Sequence, residues 1–504
     1  MKLPDRWCGI WIALILLIPG SVTAASDRPN IVFFLVDDMG WQETSVPFHS
    51  ETTELNRRYR TPNMERLAAE GMKFTQAYAS AVCSPTRVSA LTGMNAARHR
   101  VTNWTLRKNV SPDQAHPLVE PPAWNLNGVC TDADIERAMR VTPLPALLRA
   151  AGYRTIHAGK AHFGAKDTPG ENPLNLGFDV NIAGHAAGGP GSYWGENNFS
   201  AAWRSKNSAD LVWDVPGLEA YHGTKTYLTE ALTLEAIKVV EKSVADRKPF
   251  YLYLAHYAIH APREKDDRFY QKYIDAGLKP AEAIIASMVE SMDKSLGDLM
   301  AAFARLSVAD NTIILFMSDN GAPRDSPPNL PLRGQKLSPY EGGARVPMLA
   351  KWPGLVKPGT ICRHPVIIED IFPTILELAG TSWRDQVLQR VDGQSFVPLL
   401  KSPEETTSDR PFVWHFPHHY ARQTPFSSIR VGEWKLIYHH ADRRMELFNL
   451  ASDLSEKNDL AAHEPQRVRE LAAKLAALLK DRGAQMPTDK QSGQVVPRPD
   501  GRQD

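Results

Sequence analysis

The sequence predicts an α/β fold: a large, mostly parallel sheet flanked by helices, followed by a smaller C-terminal antiparallel sheet with one helix. Three observations predict it. Several short apolar runs are continuous rather than alternating, the pattern of strands buried on both faces of a parallel sheet. Helix-like segments lie between them, and strands alternating with helices build a parallel sheet. After a polar break at residues 401–410, the pattern changes to closely spaced short strands and an Ala/Leu-rich helix.

The strand-like runs are Ile31 to Val36, Phe250 to Leu254 and Ile313 to Met317, with a weaker one from Thr155 to Ala158. The intervening helices are Asn63 to Glu70, Thr142 to Ala151, Thr229 to Ala245 and Ala281 to Leu306. In the C-terminal part, strands are expected around Ser428 to Val431, Trp434 to Tyr438 and Met445 to Asn449, then a helix from Pro465 to Leu479. This divides the chain into a large α/β domain over 26–400, a small α+β domain over 411–484, and a polar tail over 485–504 that is expected to be mobile. Residues 100–135 and 165–225 are rich in Gly, Pro, Asn and Trp, as expected of long loops that roof a site.

At 504 residues the chain is long enough for one large domain and a smaller one. Hydrophobic residues make up 43% and charged residues 23%, the balance of a globular protein with a sizeable core. A formal net charge of +1 leaves no global basic field to hold nucleic acid. Residues 1–25 read as a secretory signal: Lys2 and Arg6, the apolar run Trp11 to Ile18, then small residues at Val22-Thr23-Ala24. No later stretch reaches spanning length, so the mature protein is expected to be periplasmic or secreted, free of the membrane. Loss of Cys8 with the signal leaves Cys83, Cys130 and Cys362, an odd number for an exported protein. One cysteine therefore has a task of its own, assigned to Cys83. Cys130 and Cys362 are left either to pair or to stay as buried thiols.

In an open parallel sheet, ligands bind beyond the carboxyl ends of the strands. Four apolar runs here end in polar clusters: Asp37-Asp38; Gly159-Lys160-Ala161-His162; His256 and His260; and Ser318-Asp319-Asn320-Gly321. Asp37, Asp38, Asp319 and Asn320 offer hard oxygen ligands that suit Ca²⁺ or Mg²⁺ rather than zinc. The segment from Cys83 to Gly93 places Pro85 in the first turn of a helix and Cys83 at its N-terminus, where negative charge is favoured. Arg87 lies one turn further on and adds its fork of donors.

Cys83-Ser84-Pro85-Thr86-Arg87 followed by Leu91-Thr92-Gly93 resembles the signature of the formylglycine-dependent (type I) sulfatases, a branch of the alkaline phosphatase superfamily. The remaining clusters follow in the family's order. Val36-Asp37-Asp38-Met39-Gly40 resembles its first metal motif and Gly159 to Gly164 its Gly-Lys-Trp-His-Leu-Gly. His260-Ala261-Pro262 resembles its substrate-histidine motif, Ser318 to Gly321 its second metal motif, and Leu332 to Lys336 its Leu-Arg-Gly-Gly-Lys. Ala161 in place of Trp and Gln335 in place of Gly depart from the pattern, and neither removes a charge.

The resemblance implies an alkaline phosphatase-like fold and cleavage of sulfate esters from carbohydrate, as in bacterial polysaccharide sulfatases. It implies a formylglycine at Cys83 made by a maturation enzyme, and one divalent cation, Ca²⁺, held by Asp37, Asp38, Asp319, Asn320 and residue 83. One hydroxyl of the hydrated formylglycine attacks sulfur to give a sulfo-enzyme; the other then expels sulfate. Lys160, Lys336 and Arg87 neutralise the growing charge, His162 serves as base, and His260 protonates the leaving alcohol. His256 is read as a packed histidine beside its strand. His415, His418 and Arg430, in stretches that resemble those of polysaccharide sulfatases, and His185 are candidates for the substrate rim. The rival readings are a phosphodiesterase or phosphonate hydrolase of the same superfamily and a non-catalytic glycan-binding homologue.

Overall fold

The computed structural model describes Met1 and residues 28–132, 135–204, 210–404 and 409–502. The expected signal over 1–25, and Cys8 with it, lies outside the described residues apart from Met1.

The apolar runs form the middle of a nine-stranded sheet. Its order is Thr360–Cys362, Met72–Tyr78, Arg345–Lys351, Thr312–Ser318, Asn30–Val36, Phe250–Ala255, Arg154–Gly159 and Val180–Ile182, with Val366–Ile367 beside Met72–Tyr78. Arg345–Lys351 pairs antiparallel on both sides, while the other pairings are parallel. The central strand Asn30–Val36 is fully buried because both faces are covered. Ile31, Phe33 and Leu35 face a core with helices Cys83–Thr92, Leu144–Ala150 and Ile371–Leu378. Val32, Phe34 and Val36 face the opposite core with Pro62–Glu70, Leu228–Ala245 and Pro280–Arg305.

Five strands of this sheet escape sequence reading: the short edge pieces Val180–Ile182, Thr360–Cys362 and Val366–Ile367, and the longer Met72–Tyr78 and Arg345–Lys351. Of the two longer ones, Met72–Tyr78 mixes Lys, Thr and Gln with its apolar residues and Arg345–Lys351 carries Pro347, so neither is a continuous apolar run.

The C-terminal sheet is a four-stranded antiparallel meander, Phe412–Phe416, Phe426–Val431, Trp434–His439 and Met445–Asn449, packed against helix Pro465–Asp481. Its first strand was not expected. The segment from residue 485, expected to be a mobile tail, instead packs down. Thr488–Asp489 pairs with Val119–Glu120, Val496 is buried, and the Tyr438 hydroxyl donates to the Pro497 carbonyl. Apolar Met486 and Val496, spaced among polar neighbours, supply the burial that composition alone conceals. Cys130 and Cys362 are separate buried thiols, not a disulfide.

The two sheets are joined by a buried charge network. Lys435 lies 3.0 Å from Glu341 and 2.9 Å from Glu456, while Arg345 and the Tyr78 hydroxyl also reach Glu341.

Candidate active site

The chain leaves each central strand through backbone hydrogen bonds that continue the sheet into the loops. Asp319 N donates to Val36 O at 3.0 Å, Lys160 N to Ala255 O at 2.7 Å and Ile259 N to Asp37 O at 2.7 Å. These bonds fix the first residues past the strands on one edge. Asp38 and His162 there adopt left-handed backbone conformations, φ 65° and 57°. Non-glycine residues take that conformation rarely and concentrate at functional sites when they do.

Carboxylate oxygens of Asp37, Asp38 and Asp319 lie within 4.8 Å of one another, all buried. Packed together they repel, and cations surround them. Lys160 Nζ lies 2.6 Å from Asp37, and the Lys336 ammonium contacts Asp38. Arg87 donates from Nε and Nη2 to Asp319 Oδ2 at 3.0 and 2.8 Å, and from Nη1 to the Lys160 carbonyl at 2.8 Å. Asp37 Oδ1 and Asn320 Oδ1 are buried with no hydrogen-bond partner. Buried polar atoms are nearly always paired, so two orphaned oxygens beside three carboxylates fit an oxygen-coordinated cation.

Next to this cluster a cavity of about 120 Å³ is lined by Val82, Cys83, Trp104, His162, Gly188, Trp213, His260, Lys336 and Tyr420. Cys83 opens the helix Cys83–Thr92, preceded by extended Val82. Thr86 ties that helix to the cluster by donating to the Asp319 carbonyl at 2.6 Å. His162 Nε2 sits 2.7 Å from the Thr105 carbonyl, and His260 Nδ1 sits 2.7 Å from the Ala261 carbonyl. A carbonyl only accepts, so each of these nitrogens carries the proton. His162 Nδ1 and His260 Nε2 are left as the variable atoms, and His260 Nε2 is 3.9 Å from Asp38.

The sulfatase family profile matches residues 29–381, and that of N-sulphoglucosamine sulphohydrolase, C-terminal, matches residues 335–485. The chain belongs to the sulfatase family. It is 28% identical to a sulfatase of Formosa agariphila across 93% of this chain and 91% of that one. It is 32% identical to human N-acetylgalactosamine-6-sulfatase across 78% and 70% of the two chains. Among solved structures it resembles Ps i-CgsB in complex with k-i-k-neocarrahexaose, with a TM-score of 0.73 and 27% identity over 93% of this chain and 95% of that one. The fold is that of alkaline phosphatase-like sulfatases, and the protein is a sulfuric ester hydrolase. Sulfatases use a metal ion, and the Asp37–Asp38–Asp319 cluster could hold one.

Within this sulfatase, Cys83, His162, His260 and Lys336 face the cavity together. Arg87 and Lys160 do not line it: both are completely buried behind it against Asp319 and Asp37. Burial raises the Asp37 pKa well above the ordinary carboxylate range, reinforced by Asp319. Burial alone would raise Asp38 too, but Lys336 and His260 hold it well below that range. Burial, then Lys160 and Arg87, lower His162 well below its usual value, so the ring is neutral.

The four rim candidates are not brought to the cavity wall. Both ring nitrogens of His415 are engaged, by Ser427 Oγ at 2.8 Å and the Gln485 carbonyl at 3.0 Å. His418 is buried between Thr102 and Asp113. Arg430 contacts Tyr78 and Gln76 at the junction of the two sheets. His185 flanks the site, with Nδ1 2.9 Å from the Tyr257 hydroxyl and its carbonyl accepting from His162 N at 3.3 Å. His256 packs on Phe34 and meets Ser295 Oγ at 2.8 Å, as a packed histidine should.

Sequence reading missed Thr105, Trp104, Tyr420 and Gly188-Gly189. The first two and the glycines lie in the loops over 100–135 and 165–225 expected to roof the site, but loop composition does not say which residue turns inward. Tyr420 follows the His-rich stretch His415 to His419 and belongs to no motif of its own.

Proposed function

We propose that this sulfatase is exported to the periplasm or secreted and removes sulfate from a sulfated carbohydrate. In this reading Cys83 is matured to formylglycine by a formylglycine-generating enzyme, and one Ca²⁺ is held by Asp37, Asp38, Asp319 and Asn320. The observation that carries it is the meeting of Cys83, His162, His260 and Lys336 at one cavity, next to a buried oxygen cluster with two orphaned atoms. The similar human enzyme is named for N-acetylgalactosamine-6-sulfate chemistry, and Ps i-CgsB is seen with a carrahexaose. Both favour a sugar ester. The basic, apolar and small-residue order of residues 1–25 favours export.

In the oxygen cluster, Ca²⁺ would supply positive charge close to the sulfate oxygens. At position 83, formylglycine would supply the hydroxyl nucleophile for sulfur. The rest falls to side chains of this chain. Lys336 presents its ammonium to the sulfate from the cavity wall. Lys160 and Arg87 hold Asp37 and Asp319 from behind, so that three carboxylates stay together in a buried site. His162, held by Thr105 with its Nδ1 lone pair free, is the base on the residue-83 side. His260, held by Ala261 through its Nδ1–H, turns Nε2 to the leaving alcohol and protonates it from the doubly protonated ring, whose charge Asp38 at 3.9 Å favours.

The test is desulfation by protein matured in a host that makes formylglycine. Galactose 6-sulfate, N-acetylgalactosamine 6-sulfate and carrageenan oligosaccharides would be compared with matched phosphate esters, alongside mass spectrometry of the peptide containing residue 83. Sulfate release from at least one sugar and an aldehyde at 83 are expected. Preference for the phosphate esters, or full activity with only unmodified Cys83, would overturn the reading.

A further inference from the structure

The cavity wall sets aromatic residues beside the charged ones. Trp104, Trp213 and Tyr420 line it from three separate segments of the chain, and all three are partly exposed. Trp104 and Tyr420 meet edge to face, with ring centroids 5.7 Å apart and planes at 67°. A sulfate held beside Cys83 brings the ring that carries it against these aromatic residues, which line the same cavity.

The aromatic pair is held by a buried polar hub. Asp113 Oδ1 accepts from Asn103 Nδ2 at 2.9 Å, and Asn103 Oδ1 accepts from the Trp104 backbone N–H at 2.9 Å. The same Asp113 oxygen lies 3.0 Å from His418 Nδ1, two residues before Tyr420. Gln114 closes the clamp. Its N–H donates to the His419 carbonyl at 2.8 Å, and its side-chain oxygen accepts from Ala421 N at 3.0 Å. Asp113-Gln114 thus ties the loop of Trp104 to the turn of Tyr420 and fixes the distance between the rings. His418, in the stretch that resembles other polysaccharide sulfatases, positions this wall rather than touching substrate.

We propose that Trp104, Trp213 and Tyr420 form the specificity wall of the enzyme, stacking the C–H-rich face of the pyranose whose sulfate enters the cavity. The proposal rests on the sugar-ester reading above. Aromatic faces are electron-rich and attract the polarised C–H edges of a ring laid across them. Stacking holds the sugar equally before and during reaction, so its loss acts as lost uniform binding. Asp113 is a positioning residue for the wall.

The test uses matured full-length enzyme with Trp104→Ala, Tyr420→Ala, Trp104→Phe and Trp213→Ala. KM and kcat are measured on whichever of galactose 6-sulfate, N-acetylgalactosamine 6-sulfate and glucosamine 6-sulfate the wild type cleaves, together with the inhibition constant of inorganic sulfate. Trp104→Ala and Tyr420→Ala should each raise KM on the sugar roughly tenfold to a hundredfold, the range for losing one stacked aromatic face. Trp104→Phe should recover most of the loss. Inhibition by inorganic sulfate, which needs only the charged side chains, should move less than about twofold on the scale where tenfold is one aromatic contact. If Trp104→Ala does not fold, Trp213→Ala reads out the same wall. Unchanged KM on sugars, or a sulfate inhibition constant that rises as steeply as KM, would overturn the wall. A wild type that cleaves 4-nitrophenyl sulfate but none of the sugars would overturn the sugar reading itself.

Discussion

Gly188 presses so closely on His162 that a Cβ on it would fall 2.4 Å from the imidazole Cε1. The next residue does the same to the second histidine: a Cβ on Gly189 would lie 2.8 Å from His260 Nδ1. Both contacts are far inside van der Waals distance, so only glycine lets this loop lie across both rings. Gly188→Ala must therefore push His162 off the Thr105 carbonyl or lift the loop. A displacement of about 1 Å near the reacting atoms costs on the order of 10²-fold in rate. Gly188→Ala should lose activity on that scale, read as kcat.

A second expectation concerns the metal cluster. Asp319→Ala removes the partner of a completely buried Arg87, whose guanidinium makes two bonds to one carboxylate oxygen. Breaking a buried ion pair from one side costs about 3–5 kcal/mol. Asp319→Ala should abolish activity and lower the melting temperature clearly. Chelation of wild-type protein should abolish activity and also lower the melting temperature, because ligand binding to the folded state stabilises it. Full activity after exhaustive EDTA treatment would refute the metal assignment.

The pH dependence of stability has a specific contributor in Glu369. Burial, and then neighbouring Asp370, push its pKa from 4.5 up to about 7. The folded state therefore holds this proton more tightly than the unfolded chain. The sign follows: the contribution is full below about pH 4.5 and is lost as pH rises through about 7. Over that window the stability of wild type should fall by about 3 kcal/mol relative to Glu369→Gln, since one pKa unit is ~1.4 kcal/mol. Gln keeps an acceptor for Asn95 Nδ2, which donates to Glu369 at 2.9 Å. Urea melts of both proteins at pH 5 and pH 8 check this, and parallel pH profiles would rule Glu369 out.

Much of this site was legible because its residues cluster where strands end. Asp37-Asp38, Lys160, His260 and Asp319-Asn320 each follow a continuous apolar run, and parallel-sheet geometry sends all such ends to one edge. The central strands were legible for the same reason, being buried on both faces. Met72–Tyr78 was not, since Lys73, Thr75 and Gln76 break its apolar run. Arg430 and Lys435 illustrate a deeper limit. A motif rich in charge looks like a binding rim, yet Lys435 is buried between Glu341 and Glu456 and fastens the two sheets together. Sequence reports that a charge is present, not whether its partner is a ligand or another part of the chain. Gly188 and Gly189 were silent for a related reason: a glycine required by close approach leaves no chemical trace.

The last expectation separates the two histidines. His162 keeps its proton on Nε2 against Thr105, and His260 keeps its own on Nδ1 against Ala261. The free atoms, His162 Nδ1 and His260 Nε2, are assigned to the residue-83 side and the leaving-group side. Removing a general acid hurts most when the leaving alcohol is poor, as a sugar hydroxyl is, whereas nitrophenol departs with little help. His260→Ala should therefore lose far more activity on a sulfated sugar than on 4-nitrophenyl sulfate. His162→Ala should hurt both substrates alike, because attack on sulfur and release of sulfate do not involve the alcohol. Proton-transfer effects of this kind are typically about 10²- to 10⁴-fold, so the contrast is well within reach of steady-state assays. Equal losses on both substrates for His260→Ala would make it a sulfate-binding residue. A loss selective for the sugar in His162→Ala would reverse the two assignments.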